Sequence, residues 1–407
     1  MKFLFDDESY SFETLRAAGF ACYQGADLGE VLVTAARITE ADDASWLREW
    51  KATADRVHAI GRECLAQGRR VSAREALLRA SNYYRTAEFY QREHPADDPQ
   101  VRELSRLSRE TFSAAAELLD TPVRKVSIPY GDTALPGYLF LLDDSGTPRP
   151  TVIFNSGFDS TLEEAWFALA AAAVARGYQV LAFDGPGQGA VIREQGLPFR
   201  PDWEAVITPV VDFAAGLPQV DPQRIAVYGY SLGGYLTARA AAFEPRIAAL
   251  ILNDGLFDFH AALVRMLPPF LAEWIHAGRD DAADPVALFL AAHHTQLRWA
   301  IRNGMWTFAA DSPSEFVRKS ADFTLAGVVE RIACPTLVLD AENDQFFRGE
   351  APRVYEALTC PKDFVVGTEA EGAGEHCHMG AMLITHQRVF DWLDGTFATA
   401  ATGTAAA

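Results

Sequence analysis

The sequence predicts an α/β protein: a mostly parallel sheet with helices on both faces, a helical N-terminal domain before it and a helical lid inserted into it. Three observations carry this expectation. From residue 151 onward, short apolar runs alternate with helical segments, the pattern of strands joined by crossover helices. One such run, Ile225 to Tyr228, enters Gly229-Tyr230-Ser231-Leu232-Gly233-Gly234 and leaves as a small-residue helix, Tyr235 to Ala242. Residues before about 120 carry the helical period without any alternation.

Taken in order, the helical domain spans 1–122. Ser45 to about Gly68 places Trp46, Leu47, Trp50, Val57, Ile60 and Leu65 at near-helical spacing. Ser72-Ala73-Arg74-Glu75 reads as a capping box that starts a second helix, stopping before Pro95. Asp98-Pro99 supplies a cap and an N1 proline for a third, ending near Thr121-Pro122. Asn82, Tyr83, Tyr84 and Arg85 form a polar-aromatic patch on the second helix. It serves either helix packing or, through Tyr84 and Arg85, the wall of a substrate pocket.

The second domain spans 123–397. Val123 to Tyr130 and Leu135 to Leu142 read as a hairpin about Gly131-Asp132. Thr151 to Phe154 is a strand opening into Asn155-Ser156-Gly157-Phe158-Asp159-Ser160. Ser160-Thr161-Leu162-Glu163 reads as another capping box, for a helix reaching Arg176-Gly177. Tyr178 to Phe183 is a strand that ends in Asp184-Gly185-Pro186-Gly187-Gln188-Gly189. This loop lacks the Lys-Ser/Thr ending of a phosphate loop, so nucleotide binding is not expected. Trp203 to Leu217 is a helix, and Arg246 to Asn253, Pro335 to Asp340 and Asp363 to Val366 are strands. Between them, residues about 256–330 are helical and aromatic, a lid over the carboxyl edge where ligands bind in such sheets. A last helix runs from Ala381 to Phe397, and the Ala/Thr/Gly tail 398–407 is expected to be disordered.

The turn at Ser231 is a nucleophile elbow. Small residues on both sides let a strand turn sharply into a helix and lift the serine hydroxyl above the sheet edge. Serine is a weak nucleophile at its own pKa and needs an imidazole base oriented by an acid. The acid belongs after a later strand, where Asp344 follows Thr336 to Leu339; Asp340, Glu342, Asp254 and Asp258 are its rivals. The histidine belongs after the last strand, where His376 and His378 compete in Gly374-Glu375-His376-Cys377-His378. His376 is the expected base, and no metal site is expected from the pair. His293 and His294, in the lid, are expected to be solvated. The backbone N–H groups of Leu232 and Phe158 are the candidate oxyanion hole. Tyr230, Trp299 and Trp306 are expected to line the pocket and suit a flat, conjugated substrate.

Composition narrows the partners. The chain has 407 residues, 49% of them apolar, enough for a large core. Its 36 basic and 55 acidic residues give a net charge of −19, which argues against nucleic acid and anionic membrane. Neither a signal peptide nor a membrane-spanning run is visible. Five cysteines without Cys-x-x-Cys point to reduced thiols and a cytoplasmic protein.

From about Thr151 to Phe397 these motifs resemble the α/β-hydrolase superfamily. Gly157-Phe158-Asp159-Ser160-Thr161-Leu162-Glu163-Glu164, Asp184 to Gly189, Glu371 to Cys377 and Arg79 to Arg85 resemble one branch with a helical N-terminal domain. That branch includes 2,6-dihydroxypseudooxynicotine hydrolase and fungal polyketide-shortening hydrolases of pigment pathways. The resemblance implies an α/β-hydrolase fold, a Ser231–Asp344–His376 triad and often a homodimer. It also implies cleavage of a carbon–carbon bond beside a ketone on an aromatic small molecule, without a cofactor. Ester, thioester or amide hydrolysis, acyl transfer or lyase chemistry, and ligand binding without catalysis are the alternatives.

Overall fold

Period-two burial builds the sheet. In β3 (Arg149–Asn155), Val152 and Phe154 face one side while Ile153 faces the other, and all three are buried. The computed structural model, which describes residues 1–404, holds an eight-stranded sheet of order β1-β2-β4-β3-β5-β6-β7-β8. The strands are β1 (Val123–Tyr130), β2 (Thr133–Phe140), β3, β4 (Gln179–Phe183), β5 (Val220–Tyr230), β6 (Ala249–Asn253), β7 (Thr336–Ala341) and β8 (Lys362–Gly367). The β1–β2 hairpin joins β4 antiparallel, and β3 to β8 run parallel.

Five helices precede the sheet: α1 (Glu8–Gly19), α2 (Leu28–Ala35), α3 (Asp43–Ala66), α4 (Arg70–Glu88) and α5 (Pro99–Ala116). Asp98 caps α5 as the sequence predicts, accepting from the Gln100 N–H. The expected capping box at Ser72 is not formed, because α4 already starts at Arg70 after a turn at Gly68, whose φ is +72°. Trp46 and Trp50 of α3 and Tyr83 and Tyr84 of α4 fill one aromatic core, with the Trp46 indole donating to the Thr86 carbonyl at 2.7 Å.

Helices cover both faces. One face packs α7 (Glu204–Ala215) and α8 (Gly233–Ala241). The other packs Trp166–Val174, whose first turn is a π-helix and whose last, Ala171–Val174, is α6. Its expected capping box is displaced: the Ser160 hydroxyl has no partner, and Thr161 bonds Glu164 instead. After β6 come α9 (Phe259–Arg265), α10 (Pro269–His276), α11 (Asp280–His293), α12 (Thr295–Thr307) and α13 (Pro313–Lys319), the helical insertion. α14 (Glu350–Ala357) follows β7.

α15 (Met382–Thr404) closes the chain. It continues past Phe397 into the tail expected to be disordered, and residues 405–407 lie outside the described residues. All five cysteines are free, and among the described residues no helix is long and apolar enough to cross a membrane.

The register positions the site. Asn155 pairs Gly229, Tyr230 pairs Asn253, Asn253 pairs Leu339 and Ala341 pairs Gly367. The loops after β3, β5, β6, β7 and β8 therefore leave the same edge side by side.

Candidate active site

Ser231 sits at the turn between β5 and α8 with φ of +59°, a conformation unfavourable for a residue with a Cβ. The turn is held on both sides: the Ser231 N–H donates to the Asn253 carbonyl at 2.6 Å, and the Gly234 N–H donates to the Ser231 carbonyl at 2.8 Å. At Gly234 a Cβ would run into the Asp254 carbonyl, so the tight packing of helix on sheet requires glycine there. The hydroxyl of Ser231 meets Nε2 of His376 at 2.9 Å.

The other ring nitrogen, Nδ1, lies 2.9 Å from Asp344 and 2.8 Å from Asp254. The N–H groups of Phe346 and Phe347 hold Asp344 through its second oxygen, at 2.7 and 3.0 Å. Burial would raise the Asp344 carboxyl, yet the His376 charge and these bonds keep it well below the usual carboxylate range. Asp254 goes the other way. Burial and the Asp344 charge push it up to about 7, and its Oδ1 has no partner. Asp344 and Asp254 also hydrogen-bond each other. Below about pH 7 the pair thus shares one proton and one negative charge, with the charge on Asp344. Burial works against the imidazolium of His376, but Asp344, Cys377 and Asp254 together outweigh burial, so its pKa stands well above the ordinary value.

The rivals fall elsewhere. His378 is buried, bonding the Asn253 side chain at 3.0 Å and the Asp340 carbonyl at 3.1 Å, and burial lowers it to about 4. Asp258 caps α9, and Glu342 accepts from the Glu369 N–H at the surface. His293 and His294 are exposed. The sequence reading offered Asp254 only as a competitor of Asp344, whereas the structure brings both to one nitrogen. Asp254, His376 and Cys377 also offer ligand atoms within 4.8 Å of one another. Both ring nitrogens of His376 are already engaged, and burial pushes the Cys377 thiol up to about 12, so this trio is ill suited to a cation.

The Leu232 and Phe158 N–H groups donate to no protein acceptor among the described residues. Their loops touch: a Cβ on Gly157 would lie 2.8 Å from the Ser231 Cβ and 3.0 Å from the Leu232 nitrogen.

The cavity beside Ser231 is walled by α1, the loop after β3 and the insertion. Tyr230 and Trp299 line it. Trp299 stacks on Phe89 with ring centres 4.6 Å apart, and Phe346 and Phe347 pack edge-on to His376. Three expected wall residues do not reach it. The Tyr84 hydroxyl donates to Asp55 at 2.8 Å, inside the N-terminal helices. Trp306 is clasped by the guanidinium groups of Arg92 and Arg193, 5.5 and 5.2 Å from its ring. Arg85 lies one layer behind the wall, donating to Glu13 at 3.1 Å and Asp159 at 2.8 Å.

The N-terminal contribution comes instead from Ser9, Phe12, Glu13 and Arg16 of α1, with Phe89 at the end of α4. Arg16 donates to Asp159 at 2.5 Å and to both oxygens of Glu164, at 2.8 and 3.0 Å. Burial would raise Asp159, but Arg16 and Arg85 hold it at about 2. The signal for α1 was present: Asp7 caps it, and Phe12 and Arg16 share a face at i, i+4.

Comparison with known proteins agrees with this architecture. Residues 152–391 match the family described as "Alpha/beta hydrolase family", and residues 37–257 match "Esterase FrsA-like". The chain is similar to 20-hydroxy-prefusarin hydrolase FUS2 of Gibberella moniliformis, 38% identical over 97% of this chain and 98% of that protein. It is similar to Hydrolase LUC6 of a Fusarium species, also 38% identical over 97% and 98%. Among solved structures, 2,6-dihydroxy-pseudo-oxynicotine hydrolase superposes with a TM-score of 0.73 at 24% identity, covering 92% of this chain and 94% of that one.

Proposed function

The chain belongs to the alpha/beta hydrolase family, and from that premise we propose that it is a serine hydrolase cleaving a carbon–carbon bond beside a ketone in a small aromatic molecule. The observation that carries the hydrolytic reading is the unbroken chain of contacts from Ser231 through His376 to Asp344. Ser231 attacks the carbonyl as His376 takes its proton at Nε2. Asp344 fixes the ring with its proton on Nδ1 and stabilises the imidazolium. The Leu232 and Phe158 N–H groups receive the oxyanion. His376 then returns the proton to the departing carbon, giving an acyl-enzyme on Ser231. Water hydrolyses that intermediate by the same route.

Two features favour a carbon leaving group. A carbanion must be protonated or delocalised as it leaves, and His376, charged once it has taken the serine proton, stands 2.9 Å from Ser231 to supply that proton. The wall of Phe89, Trp299 and Phe346 suits a conjugated fragment that spreads the charge. Ester hydrolysis is the second reading, favoured by the match to the esterase family over residues 37–257.

A side-by-side comparison of kcat/KM on aryl 1,3-diketones and on p-nitrophenyl esters of similar size, with products identified by mass spectrometry, tests the choice. Faster diketone cleavage to a free acid is expected. Ester turnover without ketone cleavage leaves an esterase, and a product joined to an added alcohol or amine is acyl transfer. An organophosphonate should label Ser231 once per chain, and Ser231→Ala should abolish the label.

A further inference from the structure

The Gly-rich run Asp184 to Gly189 delivers one fully buried amide to the loop after β3. Gln188 is 1% exposed. Its Nε2 lies 2.7 Å from the Ser156 carbonyl and 3.1 Å from the Gly157 carbonyl. Its Oε1 accepts from the Gly185 N–H at 3.0 Å and faces the Asn155 amide at 3.4 Å. Carbonyls only accept and a backbone N–H only donates, so one orientation of the amide satisfies all its partners.

We propose that Gln188 is the positioning residue of the oxyanion hole, setting the plane of the Gly157–Phe158 peptide so that the Phe158 N–H faces the Ser231 side. The inference rests on the serine-hydrolase reading above. A trans peptide is planar, and its C=O and N–H point in opposite directions. Holding the Gly157 oxygen on the Gln188 side therefore turns the Phe158 hydrogen away from Gln188. Gly157 stands against Ser231 and the Leu232 nitrogen, and the Phe158 N–H is free of protein acceptors. The next peptide is held separately: the Phe158 carbonyl accepts from Asn303 of α12 at 3.2 Å, and Asn303 accepts from Arg92 at 2.9 Å. Without Gln188 the Gly157–Phe158 peptide is free to rotate, and the flipped state would aim a carbonyl oxygen at the developing oxyanion.

The roles of the run follow. Gly187, at φ +84°, turns the chain so that Gln188 points back under the loop. Gly185 supplies the N–H that fixes the amide oxygen. Gln188 touches no reacting atom, so its effect passes through the Phe158 N–H alone.

The test compares wild type with Gln188→Glu, which replaces the donating nitrogen at constant shape, and Gln188→Met, which keeps volume without hydrogen bonds. Active serines are counted by organophosphonate labelling run to completion. Each protein is assayed with a p-nitrophenyl ester and inhibited with an aryl trifluoromethyl ketone and with the corresponding non-electrophilic alcohol. Losing an oxyanion donor outright costs about 10²–10³ in kcat, so loosening one should cost about 10–10²-fold per active serine, with KM within about two-fold.

The trifluoromethyl ketone, which forms an oxyanion on the serine, should weaken by the same factor, while the alcohol binds unchanged. Unchanged kcat and ketone affinity in either labelled variant would overturn the proposal. So would equal weakening of ketone and alcohol together with a lowered Tm, the mark of plain packing. A wild type that takes up no phosphonate would overturn the serine-hydrolase reading itself, and this inference with it.

Discussion

Asp254 and Asp344 both reach one nitrogen, His376 Nδ1, at 2.8 and 2.9 Å. A single N–H cannot serve two full anions in a buried site, and their bonding divides the roles. Asp344 receives two backbone N–H groups and keeps its charge. Asp254 receives the Cys377 N–H and holds a proton up to about pH 7.

Asp344→Asn should lower kcat by about 10³–10⁴, because the imidazole loses its tautomer lock. Asp254→Asn should stay within about ten-fold of wild type, since an amide N–H donates to Asp344 as the protonated acid does. Steady-state kinetics on folded variants decides it. The opposite ranking would move the charge to the loop after β6.

Glu163 and Asp184 are buried carboxyls pushed up to about 8 and about 6, first by burial and then, for Glu163, by the charge of Asp184. A folded pKa above the unfolded value means stability that is complete at low pH and lost as pH rises through the folded pKa. Glu163→Gln should therefore change little near pH 4 and gain in Tm over wild type from there to about pH 8. A Tm difference independent of pH would show that Glu163 is ionised throughout.

Tyr84→Ala empties a fully buried aromatic site and should cost about 3–5 kcal/mol in denaturant unfolding, with kcat/KM per folded molecule unchanged. Phe12→Ala, at the cavity wall, should raise KM or alter substrate preference. Kinetic change confined to Tyr84→Ala would contradict the assigned wall.

Arg85→Met leaves Glu13 short of a partner and weakens the hold on Asp159, next to Phe158. Breaking one partner of such a buried pair costs about 3–5 kcal/mol. Unfolding measurements should show that loss, and the surviving folded fraction should show reduced kcat.

The elbow was legible because steric demand writes it into the sequence: a strand, a turn that needs glycine, a helix of small residues. The contact among Ser231, His376 and Asp344 was legible because parallel register brings successive strand ends to one edge. The cavity wall was not. Tyr84 and Arg85 are conspicuous along the chain, but helix α4 is buried nearly all round, so chemical prominence said nothing about direction. Asp254 was undervalued because a sequence ranks acids one at a time, while a buried site can hold two by leaving one protonated. The capping boxes misled at Ser72 and Ser160 because the local chain chose other starts: the turn at Gly68 begins α4 at Arg70, ahead of Ser72, and Thr161 rather than Ser160 bonds an acid three residues on.

Arg16 and Arg85, contributed by α1 and α4, neutralise Asp159 and Glu164 of the loop that follows β3. Neither half tolerates inheritance alone. A chimera joining these N-terminal helices to another relative's sheet would leave two buried guanidinium groups with Glu13 alone between them unless that sheet carried the matching acids. Laboratory recombination should accordingly spare crossovers that exchange α1, α4 and the 157–164 loop together and reject those that part them.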